Sequence, residues 1–249
     1  MTESHQIQNL RYSRHLVLDD FNQQSQKKLN EASVLIIGLG GLGTAASLYL
    51  ANSGVGKIKV NDYDAVDITN LPRQILYNSD DLGKNKAETA KKKLLRFNPN
   101  IAVKALTEKL KYKELKEVSL FADIVLDCTD NLQSRLLINK VCIKNKKSLV
   151  SGAAIRYEGH IAVFRNDISI KGCYNCLYSQ EDDNIEDCEG SGILASVAGL
   201  VGTTMSAEVI KILIGKKSNL NNRLWILDAK NNTNQIIKIQ KSEACKECC

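Results

Sequence analysis

Short apolar runs alternate with helical stretches along the first 150 residues. Val34-Leu35-Ile36-Ile37 places four apolar residues in a row, the pattern of a strand buried on both faces of a parallel sheet. A helix from roughly Gly43 to Asn52 follows, then a second alternating strand, Lys57 to Asn61. Residues 83–97 have a helical pattern, with Asp80-Asp81 as a plausible cap, an inner stripe of Ala87, Ala90 and Leu94, and a stop before Pro99. Ile101 to Leu106 reads as a strand, Lys113 to Phe121 as a helix and Ile124 to Cys128 as another buried strand. Leu132 to Lys144 is helical, and Ser148 to Ser151 is a short strand. From Ser151 the period changes: Ile161 to Phe164, Leu224 to Leu227 and Gln235 to Ile239 read as antiparallel strands. The apolar stretch from Ile193 to Ile214 contains Ser196, Thr203, Thr204, Ser206, Glu208 and Lys211, which predicts a buried helix and no membrane span.

The first strand runs into Gly38, Gly40 and Gly43 at G-x-G-x-x-G spacing, with Gly41 inside the loop. Such glycines permit a tight turn, a close backbone approach to phosphate and close helix packing, and the helix start offers N–H groups to an anion. The second strand delivers Asp62, an acid placed to hold ribose hydroxyls. Together these predict a nucleotide site; the alternative is a tight glycine turn without a ligand. The expected architecture is α/β: a Rossmann-like, doubly wound, mostly parallel sheet with a smaller antiparallel C-terminal sheet. One continuous domain would then comprise an N-terminal helical arm (1–30), a nucleotide-binding Rossmann-like part (31–150) and an antiparallel part (151–249).

Beyond the carboxyl end of the second strand, the turn-rich segment Tyr63 to Gln74 carries Asn70, Arg73 and Gln74 to the edge where doubly wound sheets bind ligands. Lys86 lies near the start of its helix and is placed to reach the same edge, whereas Lys91, Lys92 and Lys93 read as a solvated face. The strand at 124–128 ends in Thr129-Asp130-Asn131, so Asp130 is a candidate magnesium ligand, a helix cap being the compatible alternative.

The formal net charge of +6 is spread over scattered lysines with no basic-aromatic stripe, which disfavours nucleic acid as a partner. Residues 1–6 have no apolar core and do not resemble a signal peptide, so a cytoplasmic protein is expected. Eight cysteines in that setting point to metal or thiol chemistry. Cys173-x-x-Cys176 and Cys245-x-x-Cys248 are two knuckles that together complete a closed four-sulfur zinc site of structural role; unpaired turns or a redox pair are the alternative. Cys128 and Cys142 sit in apolar surroundings and read as core, and Cys249 as a spare thiol. Glu181 to Glu189, rich in acids around Cys188, reads as a mobile loop.

Gly38-Leu-Gly-Gly-Leu-Gly43, Asn70-Leu-Pro-Arg-Gln74, Leu126-Asp-Cys-Thr-Asp-Asn131, Ser151-Gly-Ala-Ala-Ile-Arg156 and the two knuckles occur in an order that resembles one family. These are bacterial relatives of ubiquitin-activating enzymes, the adenylyltransferases of sulfur-carrier proteins in molybdopterin and thiamin biosynthesis. The resemblance runs from Arg11-Tyr-Ser-Arg14 to Cys248. It implies ATP- and magnesium-dependent adenylylation of the C-terminal carboxylate of a ubiquitin-like carrier ending in Gly-Gly. It further implies that Gly41 lines the nucleotide loop and Asp62 holds ribose, that Asn70, Arg73 and Lys86 bind phosphates, and that Asp130 positions magnesium. Arg14 resembles an arginine that enters the partner subunit's site, which implies a homodimer; the arm, lying before the first strand, is free to extend from its own sheet. In thiamin-type relatives a cysteine at the position of Cys188 can join the carrier, but Glu186, Asp187 and Glu189 beside it disfavour the thiolate. Features of both pathways are present, so neither is singled out. With no sulfurtransferase domain after Cys248, sulfur is expected from a separate sulfurtransferase or cysteine desulfurase.

Two other functions compete. An NAD(P)-dependent oxidoreductase would explain the glycine loop and Asp62 while leaving Arg73, Lys86, Asp130 and the knuckles without a task. A non-catalytic scaffold of the same fold would have no need of the intact Arg73, Lys86 and Asp130.

Overall fold

A computed structural model describes residues 10–178 and 192–248. Helices α1 (Ser13–Leu16) and α2 (Gln23–Glu31) precede a chain of alternating strands and helices. These are β1 (Ser33–Ile37), α3 (Gly41–Asn52), β2 (Lys57–Asn61), α4 (Lys86–Phe97), β3 (Ala102–Leu106), α5 (Tyr112–Ser119), β4 (Ile124–Asp127), α6 (Leu132–Lys144) and β5 (Ser148–Ile155). After them come β6 (Glu158–Arg165), α7 (Ala195–Leu213), β7 (Arg223–Asp228) and β8 (Thr233–Lys238). The eight strands make one sheet in the order β3-β2-β1-β4-β5-β6-β7-β8. Pairing is parallel from β3 to β5 and antiparallel from β5 to β8.

The antiparallel strands expected after Ser151 are present, and the β5–β6 pair joins them edge-on to the parallel ones. β5 continues to Ile155, four residues past its expected end. The first three residues of the extension, Gly152-Ala153-Ala154, lack the bulk that marks a strand, which returns only at Ile155. The ladder with Gly159 to Ile161 of β6 holds them instead, with α7 close over Gly152: a Cβ there would lie 2.3 Å from Met205 Sδ of α7.

Each side of the sheet carries its own core, and β1 serves both by alternation. Val34 and Ile36 face the layer containing α3, α4 and α7, while Leu35 and Ile37 face the layer containing α5 and α6. α7 is the one helix, among the described residues, with the length and apolarity of a membrane span. Val197, Val201, Met205 and Val209 on it are fully buried against the sheet and α3, each such side chain stabilising the fold by about 1.5–3 kcal/mol. Contact with α3 is close because Gly202 has no side chain; a Cβ there would meet Leu42 O at 2.4 Å.

Two local expectations change. α4 begins at Lys86, capped by Asn85, whose Oδ1 accepts the Glu88 N–H at 3.1 Å. Asp81 is not that cap; it is buried in a short 3-10 turn, where it accepts the Asn78 N–H and pairs with Lys93. The N-terminal arm also lies against its own chain instead of extending away. Tyr12 and Phe21 are buried, the Tyr12 hydroxyl accepts from Asn98 Nδ2 at 3.0 Å, and Arg11 Nη1 donates to Phe97 O at 3.0 Å. Burying two aromatic rings outweighs the freedom of a loose arm.

Candidate active site and metal centre

The order in which strands are added reverses between β1 and β4, which run parallel: β2 and β3 lie on one side of β1, β4 and β5 on the other. The carboxyl ends of β1 and β4 therefore frame a crevice, the place where open α/β sheets bind ligands. A cavity of about 590 Å³ occupies it. Gly38 turns the chain out of β1 with φ +87°, and a Cβ there would meet Cys128 O at 2.7 Å. Gly43 does not line the cavity; it lets α3 sit on the loop, since its Cβ would fall 1.9 Å from Gly38 O. Gly40 precedes α3 without any side-chain cap, so the first N–H groups of that helix stay open toward Gly40 and Gly41 in the cavity wall.

Asp62 reaches the same wall from β2 and already has structural work: Oδ2 accepts the Leu39 N–H at 2.7 Å and Oδ1 the Asp64 N–H at 2.9 Å. Burial raises its pKa, against the pull of those two N–H groups and of Lys86. Lys86, the first residue of α4, is nearly buried with Nζ 3.3 Å from Asp64 Oδ2. Asn70 ends the 3-10 turn after β2 and Arg73 follows it, with Nη1 donating to Thr69 O at 2.8 Å and its side chain in the cavity wall. Gln74 lines the cavity, nearly buried with Nε2 beside Gly40, and its buried Oε1 has no hydrogen-bond partner.

From β4 comes the opposite wall. Asn131 caps α6 by accepting the Ser134 N–H at 2.9 Å, which leaves the neighbouring Asp130 out of that role. Asp130 is exposed at the cavity edge, with the Asn131 amide on one oxygen at 3.1 Å. A carboxylate with open lone pairs beside phosphate-sized space fits magnesium, which takes one or two protein carboxylates and completes its shell with substrate phosphates and water.

The structure thus brings Gly38, Gly40, Gly41, Asp62, Asn70, Arg73, Gln74, Lys86 and Asp130 to one cavity. Arg14 is elsewhere. The arm that carries it is anchored at the far ends of α3 and α4, by Gly54 and Asn98, and α3 alone is about 18 Å long. Arg14 is exposed there and does not line its own chain's cavity. Cys188 and the acidic loop around it lie outside the described residues, as does Cys249. Two cations in the wall, Lys109 and Arg135, escaped the sequence reading. Arg135 carries the signal that exposed Lys86: a cation in the first turn of a helix that follows a cavity-edge strand.

The four knuckle sulfurs lie within 4.8 Å of one another. Cys173 Sγ is 3.9 Å from Cys176 and 3.6 Å from Cys245, and Cys248 is 3.4 Å from both Cys176 and Cys245. A disulfide would need about 2.05 Å, whereas four thiolates about 2.3 Å from one tetrahedral ion stand about 3.8 Å apart. Burial works against the thiolate of Cys245, yet the N–H groups of Glu247 and Cys248 bring its pKa down to about 7. The donor set fits zinc. Cys128 and Cys142, by contrast, are buried thiols whose pKa values burial pushes up, as core cysteines. Because the cluster ties the chain end to a turn 72 residues upstream, Cys245→Ser is expected to lower zinc and stability together. At about 2–4 °C per kcal/mol for a chain of this size, a loss of roughly 5–10 °C in melting temperature should accompany metal loss in elemental analysis. Unchanged zinc in the variant, or none in the wild type, contradicts the site.

The chain has counterparts among known proteins. A family model described as the ThiF family matches residues 12–248. The chain is 36% identical to the sulfur carrier protein ThiS adenylyltransferase of Escherichia coli over 239 residues, covering 96% of this chain and 94% of that one. It is 38% identical to the molybdopterin-synthase adenylyltransferase of the same organism over 248 residues, covering 100% and 99%. Among solved structures it resembles E. coli MccB with ATP, at a TM-score of 0.79 and 27% identity over 91% of this chain and 68% of MccB. A match spanning nearly every described residue, with two relatives aligned end to end, places this chain in the ThiF family.

Proposed function

We propose that this protein adenylylates the C-terminal Gly-Gly carboxylate of a ubiquitin-like sulfur carrier, using ATP and releasing pyrophosphate. The observation that carries the reading is the convergence of Arg73, Lys86 and Asp130 with an uncapped helix start on one cavity. In this step a carboxylate oxygen of the carrier attacks the α-phosphorus and the bond to the pyrophosphate oxygen breaks. The nucleophile is already ionised, so no general base is needed; positioning and positive charge supply the catalysis. The helix start and Arg73 receive phosphate oxygens, Lys86 neutralises charge as it shifts to pyrophosphate, and Asp62 and Gln74 accept from the nucleoside. Asp130 would hold magnesium, which would supply further charge compensation on the phosphates.

The carrier itself is assigned to the antiparallel side of the sheet, residues 151–249. Ala153 and Ala154 of β5 line the cavity, and beyond them β8 presents Ile236 and Ile237 to solvent. The enzyme is a homodimer in this reading, with Arg14 acting on the partner's site, and a separate protein donates sulfur. Hydride transfer is not favoured: it has no use for Arg73, Lys86 and Asp130 together. Thiamin-type and molybdopterin-type relatives are similar to the chain to nearly the same degree, 36% and 38%. Exchange of labelled pyrophosphate into ATP decides the carrier: one of the two carrier types should support it, and deleting that carrier's last glycine should abolish it. Exchange that ignores the glycine would contradict recognition of the terminus.

A further inference from the structure

Asp130 owes its place to the turn Cys128-Thr129-Asp130, which is held on two sides by buried groups. Asp127, fully buried at the end of β4, accepts the Thr129 N–H at 3.1 Å and the Thr129 hydroxyl at 2.7 Å through Oδ1. Its other oxygen accepts from Ser151 Oγ at 2.9 Å. From α6 the Arg135 guanidinium donates Nε at 3.1 Å and Nη2 at 2.8 Å to the Thr129 carbonyl. The N–H and the C=O of one residue are thus each bonded to a buried side chain, and the Thr129–Asp130 peptide plane cannot turn without breaking the charge-assisted pair from Arg135.

Arg135 has a third commitment. Its Nη1 donates to the Tyr174 hydroxyl at 3.4 Å, and Arg135 is 7% exposed although it borders the cavity. All three nitrogens serve protein acceptors, so the guanidinium acts as scaffold. Tyr174 lies between Cys173 and Cys176. Its N–H donates to Asn139 Oδ1 at 3.1 Å, Asn139 Nδ2 donates to Asn175 Oδ1 at 2.7 Å, and its ring packs on Phe164 and Tyr178. A continuous path of hydrogen bonds therefore joins the cysteine knuckle to the turn that presents Asp130.

We propose that Arg135 and Tyr174 are positioning residues for the adenylyl-transfer site: Tyr174 sets the Arg135 guanidinium, which fixes the Thr129–Asp130 peptide and so aims the Asp130 carboxylate at the nucleotide's divalent cation. This rests on the reading of Asp130 as a cation ligand. Partners that orient a metal ligand typically change metal affinity 10–100-fold when removed. Tyr174→Phe keeps the ring and deletes one bond, and Arg135→Lys keeps the charge but loses the fork.

The test is Mn²⁺ titration of the full-length protein with a non-hydrolysable ATP analogue, followed by electron paramagnetic resonance. Half-saturation should rise about fivefold in Tyr174→Phe and about tenfold or more in Arg135→Lys. Zinc content and nucleotide affinity without divalent metal should match wild type, both variants should remain folded with melting temperatures lowered by no more than a few degrees, and the rate of pyrophosphate exchange should recover at saturating Mn²⁺. If Tyr174→Phe loses zinc, Arg135→Lys, which leaves the knuckle unaltered, decides. Folded variants whose Mn²⁺ half-saturation stays within twofold of wild type overturn the proposal. Were Asp130→Ala to bind Mn²⁺ as well as wild type, the assignment of Asp130 would fail first and the positioning role with it.

Discussion

Asp130→Ala is expected to reduce carrier-dependent pyrophosphate exchange at least about a hundredfold while leaving the fold intact. The size follows from removing a preorganised electrostatic element at the phosphates, where one such group is commonly worth 10²–10³ in rate. The separation from stability follows from the structure. Asp130 is exposed, its side chain bonds to the Asn131 amide, and the cap of α6 belongs to Asn131. An exposed substitution of this kind should move stability by less than about 0.5 kcal/mol. Pyrophosphate exchange and a thermal melt on the same preparation check both halves. Near-normal exchange at ordinary magnesium would show that Asp130 is not the cation ligand.

The second large effect concerns Arg14. This residue is exposed on an arm anchored at the far ends of α3 and α4, so it cannot serve the cavity of its own chain in this conformation. A guanidinium brought to transferring phosphates raises rates by about 10³–10⁵, and a two-fold dimer offers a route by which it arrives from the partner. Arg14→Ala and Asp130→Ala homodimers should each be nearly inactive. Mixed dimers pair one intact Arg14 with one intact Asp130, so one of two sites is whole. They should regain up to about half the wild-type activity per dimer. Mixed dimers that form and stay at the parental level would remove Arg14 from the partner's site.

Much of this architecture was legible in the sequence because the relevant signals are local. Glycine spacing, the apolar run of β1 and the helix from Leu132 to Lys144 depend on residues close in the chain, and the structure has that helix at the same bounds. The four cysteines were legible for another reason: thiol pairs at knuckle spacing carry their chemistry whatever lies between them. What escaped depended on tertiary contact. Gly152-Ala153-Ala154 becomes strand through its ladder with Gly159 to Ile161 of β6, with α7 close over Gly152, not through propensity. Asp81 leaves the cap of α4 for a buried pairing with Lys93, and the arm folds back because Tyr12 finds Asn98, 86 residues away. In the site, the place of Arg135 in the first turn of α6 was a local signal, but its scaffold role depends on Thr129 and Tyr174, which lie on different elements. Asp62, expected at the ribose, also fixes the Leu39 N–H of the glycine loop.

Acyl-adenylate formation on a carrier terminus is read from the intact mass of the carrier after brief incubation with this protein and magnesium-ATP. The carrier should gain the mass of one adenylyl group, the gain should vanish with Asp130→Ala protein, and pyrophosphate should return the carrier to its original mass. An unchanged carrier mass with both thiamin-type and molybdopterin-type carriers, from folded, zinc-replete protein, would contradict the account.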